Sequence, residues 1–352
     1  MKRDDSLHIP TQPDQSAPRT SRRRFIGGST GFAAAAAGGL WAGADKAEPR
    51  TESAGLAPYA GFTIRVAPHV RSEPLTARLF VTASRDATPE PRFALSGNGY
   101  IRGPAPFFGM DVTGLAPGMP VRLTETANGF PLKSLGELPP GDYYVQAIAN
   151  VYTEVHRADG RALWLHMDHW EGQDASSSPG NLYSEVKRVH LDPSRGFDIQ
   201  LTLSNVIPPI PALPDTPWIR RIKFKSPLIS EFWGHPMYLG ATILLPKDYG
   251  QHPDVYYPVV YEQTHFNQPR GNAPFGFTTE DEPLPPGMLE LLRSYNRETG
   301  YELYKAWNSP GFPRMIAVTF QHPTPFYDDS YAINSANVGP YADAIMQELI
   351  PA

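Results

Sequence analysis

The sequence predicts a multidomain α+β protein, with an N-terminal antiparallel β-sandwich followed by an α/β layer. Three observations carry that prediction. Over residues 58–205, short segments alternate apolar and polar residues between Pro, Gly and Asn breaks. Pro208, Pro209, Pro211, Pro214 and Pro217 then crowd one short stretch, which cannot pair within a sheet and reads as a stiff spacer. Beyond it, nearly continuous apolar strands alternate with helical periodicity, the texture of strands covered on both faces.

The chain opens on a different kind of segment. "PRTSRRRF" is strongly basic, "GFAAAAAGGLWAGAD" is mildly apolar, and Ala42-Gly43-Ala44 offers small residues for cleavage. With Arg22, Arg23 and Phe25 followed by Ile26, residues 1–44 resemble a twin-arginine export signal, which implies a periplasmic or extracellular protein. The run Phe25 to Ala44 is near the length of a membrane span. Its Ala/Gly content and the interrupting Ser29 and Thr30 favour a signal, so no stable membrane anchor is expected after cleavage. Gly27-Gly28-Ser29-Thr30-Gly31 spells G-x-S-x-G, the letters of a nucleophile elbow. An elbow needs an apolar strand before it, and four arginines in eight residues cannot supply one. Ser29 is expected to leave with the signal.

Residues 45–57 read as a polar spacer. Past residue 44 the chain carries 25 Lys/Arg against 33 Asp/Glu, a formal charge of −8, which argues against nucleic acid as a general partner. There is no cysteine, so disulfides and thiolate metal sites are excluded.

In the sandwich region, "FTIRV", "ARLFVTA", "RFALSG", "PVRLTE", "GDYYVQAIANVYT", "RALWLHM", "KRVHL" and "FDIQLTL" read as strands of an immunoglobulin-like sandwich over 58–205. "HMDHW" has the spacing of an H-x-D-H metal set. A solvated strand end accounts for it better, with His166 and Asp168 sharing an outward face. The aromatic residues Tyr143, Tyr144, Tyr152, Trp164 and Trp170 suit either a sugar-stacking platform or core filling.

After the linker, 206–217, "WIRRIKFKS" reads as an edge strand guarded by Lys and Arg. "MYLGATILLP", "YYPVVYEQ" and "RMIAVTFQ" read as buried strands. Between the last two, the spacing of Leu289, Leu292, Tyr295 and Tyr304 predicts one helix over about 287–307. Gly339-Pro340 opens a terminal helix with an apolar stripe of Ile345, Met346, Leu349 and Ile350.

Leu245-Pro246 with Tyr249, then Tyr257-Pro258-Val259-Val260-Tyr261, then His265, resembles the opening of the putative esterase family of α/β-hydrolases. That family includes enterochelin-esterase-like enzymes, feruloyl esterases and mycolyltransferases. "PFYDDSYAINSANVGPYADAIMQELIP" resembles the segment before the nucleophile in an exported branch that carries an upstream β domain. The resemblance covers about 218–351 and implies that 218–352 is a partial α/β-hydrolase domain. It implies carboxylic ester hydrolysis through an acyl-serine, with a small-molecule ester as substrate and no metal or organic cofactor. His265 and Phe266 would belong to the oxyanion loop, although Phe266 stands where the family usually has Gly. Tyr327, Asp329 and Asn334, in the aromatic loop after the third strand, would line the substrate pocket. The triad of this fold follows the fifth strand, so its Ser, acid and His are expected beyond residue 352. No residue of this sequence is therefore assigned to the triad. A sheet built that far would leave an apolar edge for a partner chain to complete. The alternative is an exported non-catalytic module whose sandwich binds glycan or a protein.

Overall fold

The computed structural model describes residues 59–95, 105–166, 174–252, 254–263, 273–284, 286–327 and 329–352. Arg22, Arg23 and Phe25 lie outside these residues, as do Asp168 and His169. The described chain is mostly β with few helices. Among the described residues no helix is long and apolar enough to cross a membrane.

Among the described residues, eleven strands precede the proline-rich segment. They are β1 (Ala60–Val66), β2 (Leu75–Ser84), β3 (Phe107–Leu115), β4 (Val121–Leu123), β5 (Asn128–Phe130) and β6 (Gly141–Val151), then β7 (Thr153–His156), β8 (Ala162–Leu165), β9 (Leu182–Ser184), β10 (Lys187–Leu191) and β11 (Phe197–Val206). Nine of them form one sheet in the order β4-β1-β11-β9-β6-β2-β3-β5, with β10 added on β6. β3 approaches β4 although five strands stand between them in that order, so the sheet curls over its own inner face. That face buries Phe62, Ile64, Leu79, Phe108, Leu123 and Val145 completely. Each such side chain contributes about 1.5–3 kcal/mol.

Two expectations fail here. The sheet is mixed, because β1 and β11 pair in parallel, from Ala60↔Phe197 to Val66↔Leu203. They are the first and last strands of the region, and a parallel pair needs a long crossover, which everything between them supplies. "RFALSG" is not a strand. Pro91–Leu95 makes a 3₁₀ turn in which the Arg92 guanidinium lies 4.4 Å from the Phe93 ring and 4.3 Å from that of Tyr183. β3 escapes a period-2 reading because Gly109 follows two phenylalanines at its start. A Cβ there would press on the Phe80 ring of β2.

β7 and β8 leave this sheet as a separate hairpin. Its Val155 is buried in a second core, among side chains from beyond the proline-rich segment, and Leu163 and Leu165 pack on the same core. Residues 55–352 form one compact unit.

The second sheet comprises β12 (Ile219–Lys225), β13 (Tyr238–Leu244), β14 (Val259–Glu262) and β15 (Ile316–Gln321), in the order β12-β13-β15-β14. β12 is an edge, as its basic residues suggest. β13 is antiparallel to both its neighbours, and β14 is parallel to β15. Between β12 and β13 lies α1 (Pro227–Trp233), which the strand-based reading passed over. Ser226 caps it by accepting from the Ile229 N–H, Pro227 starts it, and Gly234 ends it at φ 60. A Cβ on Gly234 would collide with the His156 carbonyl of β7, so glycine is required twice over.

The single helix expected over 287–307 is two, α2 (Met288–Ser294) and α3 (Gly300–Trp307). Asn296 takes the left-handed conformation at φ 51, and a Thr299–Glu302 capping box restarts the chain as α3. The apolar stripe does not hold through α2, where Leu289 and Tyr295 are exposed. α3 instead buries Trp307 against Leu244, Phe277 and Ala317. Two-residue strands β16 (Asn334–Ser335) and β17 (Gly339–Pro340) lead into α4 (Tyr341–Ala344), which continues as a wider π-type turn, Ile345–Leu349. Ile345 and Leu349 are buried as expected, but Met346 faces solvent.

Candidate functional site

In an open sheet with parallel strands, the crevice beyond their carboxyl ends is the favoured place for ligands. β14 and β15 form that pair, and each is followed by polar residues at this end. Thr319 Oγ donates to Glu262 Oε2 (3.0 Å), which also accepts the Phe275 N–H (2.6 Å). Gln321 Nε2 donates to Thr242 Oγ (3.2 Å) in the next strand. These bonds satisfy polar groups inside an otherwise apolar sheet and fix where β15 ends.

His322 follows, 1% exposed. The Ser330 backbone N–H donates to its Nδ1 (3.0 Å), and Ser330 Oγ lies 2.9 Å from the same nitrogen. A backbone N–H can only donate, so Nδ1 is the acceptor and Nε2 carries the proton. Nε2 meets the side-chain amide of Gln263 at 3.1 Å. The atom placed there is the Gln263 amide nitrogen; since one donor must face one acceptor, the amide is assigned the flipped orientation, with its carbonyl oxygen accepting from Nε2–H. Burial pushes the His322 imidazole below its ordinary range, and the nearby Asp329 carboxylate pulls it partway back.

The loop after His322 holds this cluster in place. Thr324 Oγ accepts the Tyr327 N–H (2.8 Å), closing a turn, and Tyr341 Oη from α4 donates to the Pro323 carbonyl (2.7 Å). Asp329, 2% exposed, accepts the Tyr331 N–H through Oδ1 (2.8 Å). Tyr331 and Ala332 are consecutive left-handed residues at φ 55 and 51, a conformation that costs about 1–3 kcal/mol per residue. Ser330 Oγ accepts the Ala332 N–H (3.2 Å) and helps to hold it.

The sequence-named residues distribute unevenly around this cluster. Asp329 belongs to it. Tyr327 sits at its surface, 54% exposed, beside Phe326. Asn334 is directed elsewhere, because its Oδ1 accepts the Asp343 N–H (3.1 Å) in the first turn of α4. His265 and Phe266 lie outside the described residues. His166 is 6% exposed with Nδ1 3.3 Å from the Val151 carbonyl, so it is a buried strand end rather than a solvated one. Among the described residues no group of His, Asp and Glu is arranged to hold a metal ion. Sequence reasoning missed His322 and Ser330. The only local signal was a histidine directly after an apolar strand.

Chemically, a serine hydroxyl on an imidazole is half of a nucleophile–base pair. The other half of the requirement is a carboxylate on the opposite ring nitrogen, and there the ring meets Gln263. The pair therefore works as a buried, neutral hydrogen-bonded fastener at the crevice wall. An unfolded histidine protonates near pH ~6.5, whereas folded His322 does so only at lower pH. His322 thus contributes stability that is complete above that value and is lost as pH falls toward its depressed folded value. Urea unfolding between about pH 8 and about pH 5 is expected to show this loss, and His322→Gln to flatten it. Equal pH slopes in the two proteins would contradict the burial argument.

No protein-family model and no curated protein matches this chain in sequence.

Proposed function

We propose that the chain belongs to an exported ester hydrolase of the putative esterase type. On this reading the curled sheet is its immunoglobulin-like accessory domain, and β12 to β15 open the catalytic α/β-hydrolase sheet. One observation carries the reading, the strand order β12-β13-β15-β14 with its directions. An α/β-hydrolase sheet begins in this way, with a second strand antiparallel to its neighbours and a third strand that crosses over to lie outside the fourth. The segment between β14 and β15, which contains α3, provides that crossover. The Tyr257-Pro258-Val259-Val260-Tyr261 motif leads into and forms β14, whose carboxyl end would feed the oxyanion loop at His265 and Phe266.

The reaction class is carboxylic ester cleavage through an acyl-serine, with backbone N–H groups stabilising the oxyanion. Tyr327 and the loop around Asp329 are the substrate-facing part within this chain. Export follows from the basic and apolar pattern around Arg22, Arg23 and Phe25. A partner strand would pair on β14, which is the outermost strand and exposes Val259, Val260 and Tyr261.

Saturation-transfer NMR and turnover assays with p-nitrophenyl esters on the whole chain test this. Ester binding without turnover is expected, weakened by Tyr327→Ala, and a fluorophosphonate probe should leave Ser330 unlabelled. Binding indifferent to Tyr327→Ala would remove the proposed pocket, and labelling at Ser330 would make the Ser330–His322 pair reactive. Glycan binding with no ester binding would favour the non-catalytic module.

A further inference from the structure

The other end of the same sheet carries a second arrangement of charge and rings. β13 ends where β15 begins, with Leu244 opposite Ala317, and β14 starts alongside at Val259 opposite Ile316. The connection that leaves β13 therefore meets Arg314 at the amino ends of the parallel pair. β15 separates this place from His322 by its six residues, about 20 Å of extended chain.

A cleft of about 350 Å³ opens there, and its lining includes Lys247, Asp248, His252, Tyr256, Tyr257 and Arg314. Arg314 is half-buried, and its Nη1 is enclosed without a hydrogen-bond partner. Lys247 is also half-buried, and among the described residues neither cation has an ion-pair partner. Charges withdrawn from water are ordinarily paired, because an unpaired one keeps its desolvation cost. Asp248 is the one carboxylate of the lining, and it stands exposed at the rim in the left-handed region, φ 62. Beside the cations, Tyr257 packs on Tyr249 with ring centroids 5.7 Å apart, and the Tyr256 side chain is completely exposed. Two half-buried cations, a phenol ring packed on its neighbour and a fully exposed ring thus line one space.

We propose that this cleft binds a small planar-ring compound carrying an oxyanion, either carboxylate or phosphate. The Arg314 fork matches two oxygens of such a group, and Lys247 adds a point charge. The ring of the ligand stacks on Tyr257, and Tyr256 closes over it. The site lies at the end of the sheet opposite the proposed ester crevice and does not depend on that reading.

Isothermal titration calorimetry on the full chain tests the proposal with phenyl phosphate, benzoate, inorganic phosphate and benzyl alcohol. Saturable binding is expected for at least one ring anion, and the comparison of phenyl phosphate with benzoate identifies the oxyanion. Inorganic phosphate should bind more weakly, and benzyl alcohol should not bind. Arg314→Gln should weaken ring-anion binding about tenfold or more, the loss expected for a charge-assisted bond. Tyr257→Ala should weaken the ring anions and leave inorganic phosphate unchanged. Without ligand, Arg314→Gln should unfold at the same or a higher temperature, since it breaks no hydrogen bond. A lowered melting temperature would mark Arg314 as structural and overturn the proposal. Absence of saturable binding by both ring anions, or equal affinity in Arg314→Gln, would overturn it as well.

Discussion

Trp233→Ala is expected to lower the free energy of unfolding by about 3–5 kcal/mol, the range for deleting a fully buried large aromatic side chain. Trp233 ends α1 with no exposed surface. Its ring meets Phe232 edge-on at 5.4 Å and Phe326 at 5.7 Å. Its Nε1–H donates to the Val338 carbonyl (2.9 Å). One side chain therefore joins α1, the loop that carries the His322 cluster, and the turn before α4. Alanine would leave a cavity that three elements cannot close together, and an unpaired carbonyl within it. Trp233→Phe separates the two contributions, because it keeps most of the volume and leaves only the carbonyl unpaired, at about 1–3 kcal/mol. Urea unfolding followed by circular dichroism measures both. A loss below about 1 kcal/mol for the alanine variant would show that the second core does not depend on this junction.

What could be read from the sequence was what repeats locally. β1, β2, β6, β10, β11, β13 and β15 each show their own alternation or apolar run, and each was found. The edge position of β12 followed from its Arg and Lys residues. Non-local relations were hidden. Nothing in "GFTIRV" or "FDIQLTL" says that the two lie side by side and parallel, because closure of the curled sheet decides it. α1 had local signals, with Ser226, Pro227 and Gly234 at their proper places, but seven residues are too few for periodicity to outweigh the strands on either side. The break at Asn296 was equally legible, since Thr299-x-x-Glu302 is a capping box, and periodicity alone ran past it. The candidate site was the least legible part. His322 and Ser330 are eight residues apart with no helical or strand spacing between them. They meet because the turn that Thr324 closes on Tyr327 returns the chain to the end of β15, where Ser330 bonds the imidazole. Tyr327, Asp329 and Asn334 came from one aromatic loop, yet only Asp329 belongs to the cluster, while Tyr327 stays exposed and Asn334 caps the start of α4.

Arg157→Ala is expected to cost about 2–3 kcal/mol, as for losing a buried side chain with its charge-assisted hydrogen bonds to two carbonyls. The cost should fall on the half of the protein to which Arg157 does not belong in sequence. Arg157 directly follows β7 and is 5% exposed. Its Nη2 donates to the Ala336 carbonyl (2.7 Å) and its Nη1 to that of Asn337 (3.3 Å), both just before α4. Asp159 pairs with it at 2.9 Å, and its guanidinium carbon lies 4.7 Å from the Phe232 ring and 5.5 Å from that of Trp233. Next to it, the Ala158 N–H donates to the Phe232 carbonyl (3.0 Å). The β7–β8 hairpin is thus an element of the first region that completes the second core, and Arg157 fastens it there. Arg157→Lys should recover little, because a lysine cannot span two carbonyls or lie flat between two rings. Asp159→Asn should cost far less, since that carboxylate is 37% exposed and its pairing is screened by water. Proteolysis adds a readout of location. In Arg157→Ala, cleavage should begin in the hairpin and the residues around 334–338, while β1 to β6 stay protected. Uniform loss of protection across both sheets would mean that the two cores unfold as one and that Arg157 is not a fastener between them.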